Sequence, residues 1–213
     1  MESSQLQVFE NRRWSEGDQK LVWRHEMALK LIRDEPVLDV AGGDGLLLSL
    51  LREQRQFNQL GLLDISSVAV EKARCKGIEA QVADITKPFP FPDNTFATAC
   101  ALDVLEHLYD PLPTLKEMAR VARLVVLVVP NFHYWKDRAR MLLGQVPFQC
   151  KPRRGHVHWF NYIMLQELAA KGKLKVDTLI FGGFHRYGRV GDLLARWHPN
   201  LFAHSFAARL SKS

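Results

Sequence analysis

Cysteine is scarce in this chain of 213 residues: Cys75, Cys100 and Cys150 are an odd number, widely spaced, with no CxxC pair. That pattern argues against a disulfide framework and against a zinc knuckle, and it suits free thiols in a reducing compartment. Long apolar runs are missing too. The longest, Leu124 to Pro130, falls far short of the roughly 18 residues that a bilayer span needs. Met1 to Asp18 is polar and lacks the apolar core and cleavage site of an export leader. These absences predict a cytoplasmic protein with no membrane span. Repeats, low-complexity tracts and linkers are also absent. With 47% apolar and 24% charged residues, the whole of 1–213 is expected to form one domain around one core.

Acidic residues are sparse in one segment in particular. Between Asn131 and His158, six Lys or Arg residues face only Asp137, so this stretch holds +5 of the formal charge of +6. Such a patch can attract an anionic small molecule, a nucleic acid or an acidic partner, or can simply be a solvated surface.

What is present is an alternation of strand-like and helix-like segments. Apolar side chains at Trp23, Met27, Leu29, Leu31 and Ile32 predict a helix that Pro36 ends. Val37–Val40 reads as a strand, Ala41-Gly42-Gly43-Asp44-Gly45 as a glycine-rich turn, and Leu46–Leu51 as a helix. A strand at Leu60–Leu63 ends in Asp64. Ser66 then suits the N-cap of a helix reaching Lys76, with Gly77 as its stop. Further strands are predicted at Ile78–Val82, Phe96–Leu102 and Leu124–Val129, with a helix over Pro111–Val121. Asn131–His158 is aromatic and basic without strand period, and is read as a lid of helix and loop. A helix over Tyr162–Ala170, a strand over Leu174–Phe181, a second insertion over Arg186–Trp197 and a closing strand within Leu201–Leu210 complete the chain. The fold class is α/β, with a mostly parallel sheet covered on both faces.

In an open α/β sheet, ligands bind beyond the carboxyl ends of the strands, where a glycine turn lets a ligand lie against the main chain. Gly43 and Gly45 occupy such a turn. Asp64 follows Gly45 by 19 residues, close to the roughly 20 expected of an acid that accepts hydrogen bonds from ribose hydroxyls. A nucleoside-bearing ligand is implied. A dinucleotide is disfavoured, because Leu46 or Leu48 stands where the dinucleotide fingerprint needs its third glycine.

The run Val37-Leu38-Asp39-Val40-Ala41-Gly42-Gly43-Asp44-Gly45 resembles the first motif of class I methyltransferases that use S-adenosylmethionine (SAM). Leu63-Asp64-Ile65-Ser66, Ala83-Asp84-Ile85 and Leu102-Asp103-Val104-Leu105-Glu106-His107 resemble the following motifs in order. This resemblance implies a Rossmann-like, seven-stranded sheet whose last strand is antiparallel. It also implies SAM as cofactor and S-adenosylhomocysteine as product. By the same likeness Asp39 lies near the methionine end, Ala41, Gly43 and Gly45 beneath the cofactor, and Asp64 on the ribose with Ile65 beside it. Asp84 meets the adenine amino group, and Ile85 and Leu102 pack nearby. Ala41 departs from the pattern by replacing its first glycine. Within the family, the chain is similar to the group around the methionine biosynthesis protein MetW. That likeness rests on Gly43-Asp44-Gly45, Val129-Pro130-Asn131-Phe132 with Trp135, Leu142-Leu143-Gly144, and His156-Val157-His158-Trp159-Phe160.

Several residues admit two readings. Asp84 can hold adenine or cap the loop before Pro88. His107 and His158 are candidates to take a proton from the methyl acceptor. Glu106 and His107 can equally start a helix, and His158 with Trp159 can anchor the lid. Trp135 is expected in the core at helical spacing with Ala139 and Leu142 or Leu143. Asp103, Glu106 and His107 resemble an acidic-x-x-Glu-His cluster that binds a divalent metal in some methyltransferases. With one histidine and no fourth ligand in view, no metal is expected.

The leading expectation is methyl transfer to an oxygen or nitrogen of a small, anionic acceptor chosen by the lid. A second is a regulatory subunit that keeps the fold and partners another enzyme; the MetW likeness points to an acyltransferase of methionine synthesis. A nucleic-acid methyltransferase is the weakest, since no Asn-Pro-Pro-Tyr type motif is present.

Overall fold

The apolar segments become the strands of one sheet in the computed structural model, which describes residues 3–151, 154–182 and 188–213. The strands are β1 (Val37–Val40), β2 (Leu60–Asp64), β3 (Glu79–Val82), β4 (Phe96–Leu102), β5 (Ala122–Pro130), β6 (Leu174–Gly182) and β7 (Ser205–Lys212). Their order is β3-β2-β1-β4-β5-β7-β6, and β7 runs antiparallel to both its neighbours. The chain thus steps outward from β1 to β3, returns to β4 and continues the other way. A crevice opens where that direction reverses, between β1 and β4.

Burial follows the alternation of side chains along each strand. Val37, Leu62, Val126 and Val128 pack with Met27, Leu47, Leu48, Leu51 and Val70 on one face. These come from α2 (Trp23–Leu31), α3 (Leu46–Arg55) and α4 (Ser67–Cys75). Leu38, Val125, Leu127 and Phe206 pack with Leu115, Met118 and Leu165 on the other, from α5 (Pro111–Val121) and α7 (Tyr162–Lys171). With helices on both faces, β1 and β2 are buried along their whole length. Local chemistry sets the helix ends. The Ala69 amide donates to Ser66 Oγ at 3.2 Å, the Leu112 amide to Asp110 Oδ1 at 3.0 Å and the Met164 amide to Asn161 Oδ1 at 2.8 Å. Gly77 stops α4 with a φ of +74°.

Three expectations are revised. A first helix, α1 (Ser3–Ser15), precedes the predicted elements; it buries only Trp14, so it carries no apolar stripe. The closing strand begins at Ser205 rather than Leu201. Pro199 sits in the first turn of a short helix, α9 (Pro199–Phe202), which takes up the start of that apolar run. The segment read as a lid contains a helix, α6 (Trp135–Leu142), and a 3-10 turn at Phe148–Cys150. Trp135 is nevertheless 37% exposed, and Tyr134 is the buried ring. Tyr134 packs edge-on against His204 at 5.5 Å, so the helix starts with its aromatic pair turned the other way. The second insertion forms α8 (Gly188–Trp197). Arg153 of the basic lid, and Arg186 at the start of that insertion, lie outside the described residues. Among the described residues, no helix is long and apolar enough to cross a membrane.

Candidate active site

The turn after β1 is held in an unusual backbone shape. Ala41, Gly43 and Gly45 have φ values of +57°, +60° and +75°. Glycine adopts this left-handed region freely, but Ala41 pays about 1–2 kcal/mol for its Cβ. The Ala41 and Gly42 amides donate to the Leu63 carbonyl at 2.7 and 3.3 Å, which pins the strained residue to β2. The departure at Ala41 therefore leaves the turn's shape in place. Asp44, buried behind the turn, meets Lys76 Nζ at 2.8 Å and accepts from the Gln19 amide at 3.3 Å. Its part in bracing the turn was not visible in the sequence, because its partners come from outside the motif.

Three carboxyl groups come from β1, the end of β2 and the loop after β3. Asp64 accepts from the Gly43 amide at 2.9 Å and the Ser66 amide at 2.8 Å. Burial raises its pKa, and those two amides work against the rise. Asp39 is buried beside Cys100 Sγ at 3.5 Å. Burial pushes its carboxyl up to about 7; the thiol opposes this and nearby Asp64 adds to it. Asp84 is the more open of the three. Burial raises its pKa, but hydrogen bonds from Ser3 Oγ at 2.6 Å, Thr86 Oγ1 at 2.7 Å and the Thr86 amide at 3.0 Å outweigh it. The capping reading of Asp84 is thus realised by Thr86. Ile85 is buried, whereas Ile65 and Leu102 are half-buried at the same ends of the strands.

Helix α1 lies across these groups. A Cβ on Gly43 would meet the Trp14 ring at 2.4 Å, so the indole rests directly on that glycine. Asn11 Oδ1 accepts from Ser66 Oγ at 2.8 Å, and Lys72 Nζ donates to the Trp14 carbonyl at 2.7 Å and to Asp18 at 2.6 Å. From Ser3 on Asp84 to Trp14 on Gly43, the helix spans the cradle. The residues fit a nucleoside of positive charge. The glycine has no Cβ to fill the cradle, Asp64 sits at the turn with one lone pair left on each oxygen, and Asp39, Asp64 and Asp84 bring three carboxyl groups to this half. Access requires Trp14 to yield.

Beyond β4 the arrangement differs. Asp103 has a φ of +53° and meets Arg24 at 3.4 Å. The 3-10 turn Leu105–His107 then buries Glu106 completely. The Val157 and His158 amides donate to the Glu106 carbonyl at 2.8 and 3.1 Å, which lays the end of the lid against this turn. His107 Nδ1 meets the Gly155 carbonyl at 3.1 Å, and its ring stands edge-on to His156 at 4.9 Å. Burial lowers both imidazoles, His156 to about 4, so both are neutral near pH 7. His158 Nε2 lies 2.8 Å from the Tyr109 carbonyl. The ring neighbour of His107 is therefore His156, and the contact of His158 with the Tyr109 carbonyl suits the anchoring alternative. Sequence alone could not pair His107 with His156, because the backbone bonds of Glu106 bring them together.

Comparison with known proteins follows this geometry. The family model described as "Methionine biosynthesis protein MetW" matches residues 24–207. A rice protein, 2-methyl-6-phytyl-1,4-hydroquinone methyltransferase 2, chloroplastic, is 25% identical over 162 residues; the match covers 72% of this chain and 44% of that protein. Less than half the length of that relative is thus represented. A SAM-dependent methyltransferase from Archaeoglobus fulgidus superposes with a TM-score of 0.65 at 16% identity, over 89% of this chain and 91% of that one. The O-methyltransferase NcsB1 of neocarzinostatin biosynthesis, in complex with S-adenosylmethionine and 2-hydroxy-5-methyl naphthoic acid, gives 0.57 at 16% identity, over 99% and 57%. The [4+2]-cyclase SpnF gives 0.60 at 17% identity, over 92% and 85%. These likenesses establish the class I methyltransferase fold, and the cyclase among them illustrates that fold alone does not fix chemistry.

Proposed function

Because the chain belongs to the MetW family, we propose that its cradle binds S-adenosylmethionine and that it transfers the methyl group to an oxygen or nitrogen of a small, anionic acceptor. The observation that carries this reading is the contact of Asp64 with the Gly43 amide, which sets a carboxylate and a Cβ-free turn side by side. When bound, the cofactor supplies an electrophilic methyl on a sulfonium and leaves as S-adenosylhomocysteine. Asp64 receives the ribose hydroxyls, Asp84 the adenine amino group, and Ile65, Ile85 and Leu102 supply apolar contact. Asp39 faces the methionine end with a carboxyl that burial raises to about 7. His107 is neutral, and its Nδ1–H is engaged by Gly155, so Nε2 is the nitrogen available to take a proton from the acceptor. In this half the protein's work is orientation and exclusion of water.

Residues 1–213 act in this reading as one unit, with 131–158 as its acceptor lid. Arg140, Lys151 and Arg154 gather around the Phe148 ring at 5.9, 5.8 and 4.0 Å, a cationic surface suited to an anionic acceptor. The three unpaired thiols suit a cytoplasmic setting.

A second reading, a subunit that modulates a partner such as an acyltransferase of methionine synthesis, draws on one observation. Leu142 and Leu143 at the end of α6 are 89% and 74% exposed, and large apolar groups so open to water favour a protein contact. Calorimetric titration with S-adenosylmethionine, followed by assay of S-adenosylhomocysteine release across candidate acceptors, separates the two. Binding with turnover supports the transferase; binding without turnover, together with a co-purifying enzyme, supports the subunit. Salt-sensitive binding of nucleic acid would favour a nucleic-acid acceptor instead. Absence of any heat with the cofactor or its product would remove both main readings.

A further inference from the structure

We propose that Glu106, His107 and His156 form a binding site for one divalent transition-metal ion, of which zinc is the best match. One ligand atom from each of the three lies within 4.8 Å of the others. Two imidazole nitrogens and one carboxylate are a donor set that suits zinc, cobalt or manganese, whereas calcium and magnesium take oxygen ligands. The proposal does not depend on cofactor binding, because none of these residues belongs to the nucleoside cradle.

Glu106 provides the independent observation. Its side chain is buried, and neither carboxylate oxygen has a hydrogen-bond partner among the described residues. Buried carboxyls are ordinarily paired, since an isolated one loses its hydration without recompense. The atom that approaches it is His156 Nε2, 3.9 Å from Oε1. That separation is too long for a hydrogen bond, yet close to the roughly 3.3 Å edge of a tetrahedral site with bonds of about 2.0–2.1 Å.

The surrounding bonds hold the ligands in place. The Val157 and His158 amides fix the lid's end to the Glu106 carbonyl, so main-chain bonds set the separation of His156 from the turn. The Gly155 carbonyl accepts from His107 Nδ1, which orients that ring and leaves Nε2 as a lone-pair donor, as outer-shell partners of metal ligands do; with the ion bound that lone pair is committed, so His107 serves as the acceptor's base only in the metal-free protein. The charged groups nearby are Asp103, held by Arg24, and Arg154 on the lid. Arg13 and Glu10 also act on His107, and burial raises the Glu106 carboxyl, so binding the ion displaces a proton from it. Three protein ligands leave at least one position for water or for an oxygen of the acceptor; only that last role rests on the methyl-transfer reading.

The test uses the full, tag-free chain, stripped with chelator and titrated with cobalt(II) in the absence of cofactor. Expected are visible d–d absorption saturating at one equivalent, displacement of that band by zinc, and a rise in melting temperature with zinc. Glu106→Gln and His156→Asn should each weaken the ion tenfold or more. His107→Asn, on the exposed side of the turn, should do the same and serves if the buried variants fail to fold. No band and no thermal shift, heat with magnesium alone, or affinity unchanged in His107→Asn would each overturn the site. A chain that binds cobalt but gives no heat with S-adenosylmethionine would retain the metal site and lose the methyl-transfer reading.

Discussion

Asp64 at the end of β2 and Glu106 beyond β4 are buried to 5% and 0% exposure, yet Asp64 accepts two backbone amides and neither Glu106 oxygen has a hydrogen-bond partner among the described residues. The same contrast runs through their neighbours. Asp84 is held by Ser3 and Thr86, while one oxygen of Asp103 has no partner among the described residues. In the β1–β3 half backbone amides and hydroxyls hold Asp64 and Asp84, although Asp44 Oδ1 behind the turn is unpartnered among the described residues, and a ligand need only add hydroxyls to carboxylates already fixed. In the β4 half the side chains are brought together without being satisfied, which is the condition of a site whose occupant completes it.

The sharpest break of this contrast is at Asp64. Asp64→Ala should weaken S-adenosylmethionine by about 2–3 kcal/mol, roughly 30- to 150-fold, as expected for lost hydrogen bonds to a charged group. Calorimetry reads the effect, and an unchanged affinity would detach the cradle from the cofactor. Asp39 gives the next effect, through pH. Its folded pKa of about 7 lies above its ordinary value of 3.8, so the folded chain keeps a proton that the unfolded chain releases. That stabilisation is complete below about pH 4, declines as pH rises and is gone above about pH 7. Asp39→Asn should remove this decline and stabilise the protein at pH 8 by on the order of 2–4 kcal/mol, measured by denaturant unfolding at pH 5 and 8. Equal pH slopes in the two proteins would contradict the burial of an ionisable group there.

On the other side, Glu106→Met should raise metal-free stability by about 1–3 kcal/mol, because it replaces an unpaired buried carboxyl with an apolar chain of similar size. A loss of stability instead would mean that Glu106 is well partnered. The smallest change is expected at Ala41. Replacing it with glycine relieves a Cβ at φ +57° and should add up to about 1 kcal/mol, less the entropy that glycine brings to the unfolded chain. Thermal unfolding of Ala41→Gly checks the sign.

The two halves were also unequally legible. The β1 turn, Asp64 and the α4 cap are each written in a few adjacent residues, and strand, glycine turn and acid recur at a spacing that chemistry demands. The parallel sheet followed from the same alternation, and its reversed last strand from the resemblance. The group around Glu106 has no such local record. His156 reaches it through the amides of Val157 and His158, a contact made between distant parts of the chain. Helix α1 was missed for a related reason. Asn11, Lys72 and Trp14 hold it by polar contacts and one ring, and no apolar period announces it. At β7 the run Leu201–Leu210 was uniform in composition, and only Pro199 distinguished the short helix from the strand. Of the neighbouring rings Tyr134 and Trp135, composition could not say which would be buried.

The indole of Trp14 covers Gly43 from a helix whose sequence precedes the span matched by the MetW family model. On the methyl-transfer reading, the rate of cofactor capture levels off at high concentration, at the pace with which α1 unseats. A tag or fusion added upstream would then change the kinetics of loading while leaving the cradle's own chemistry intact.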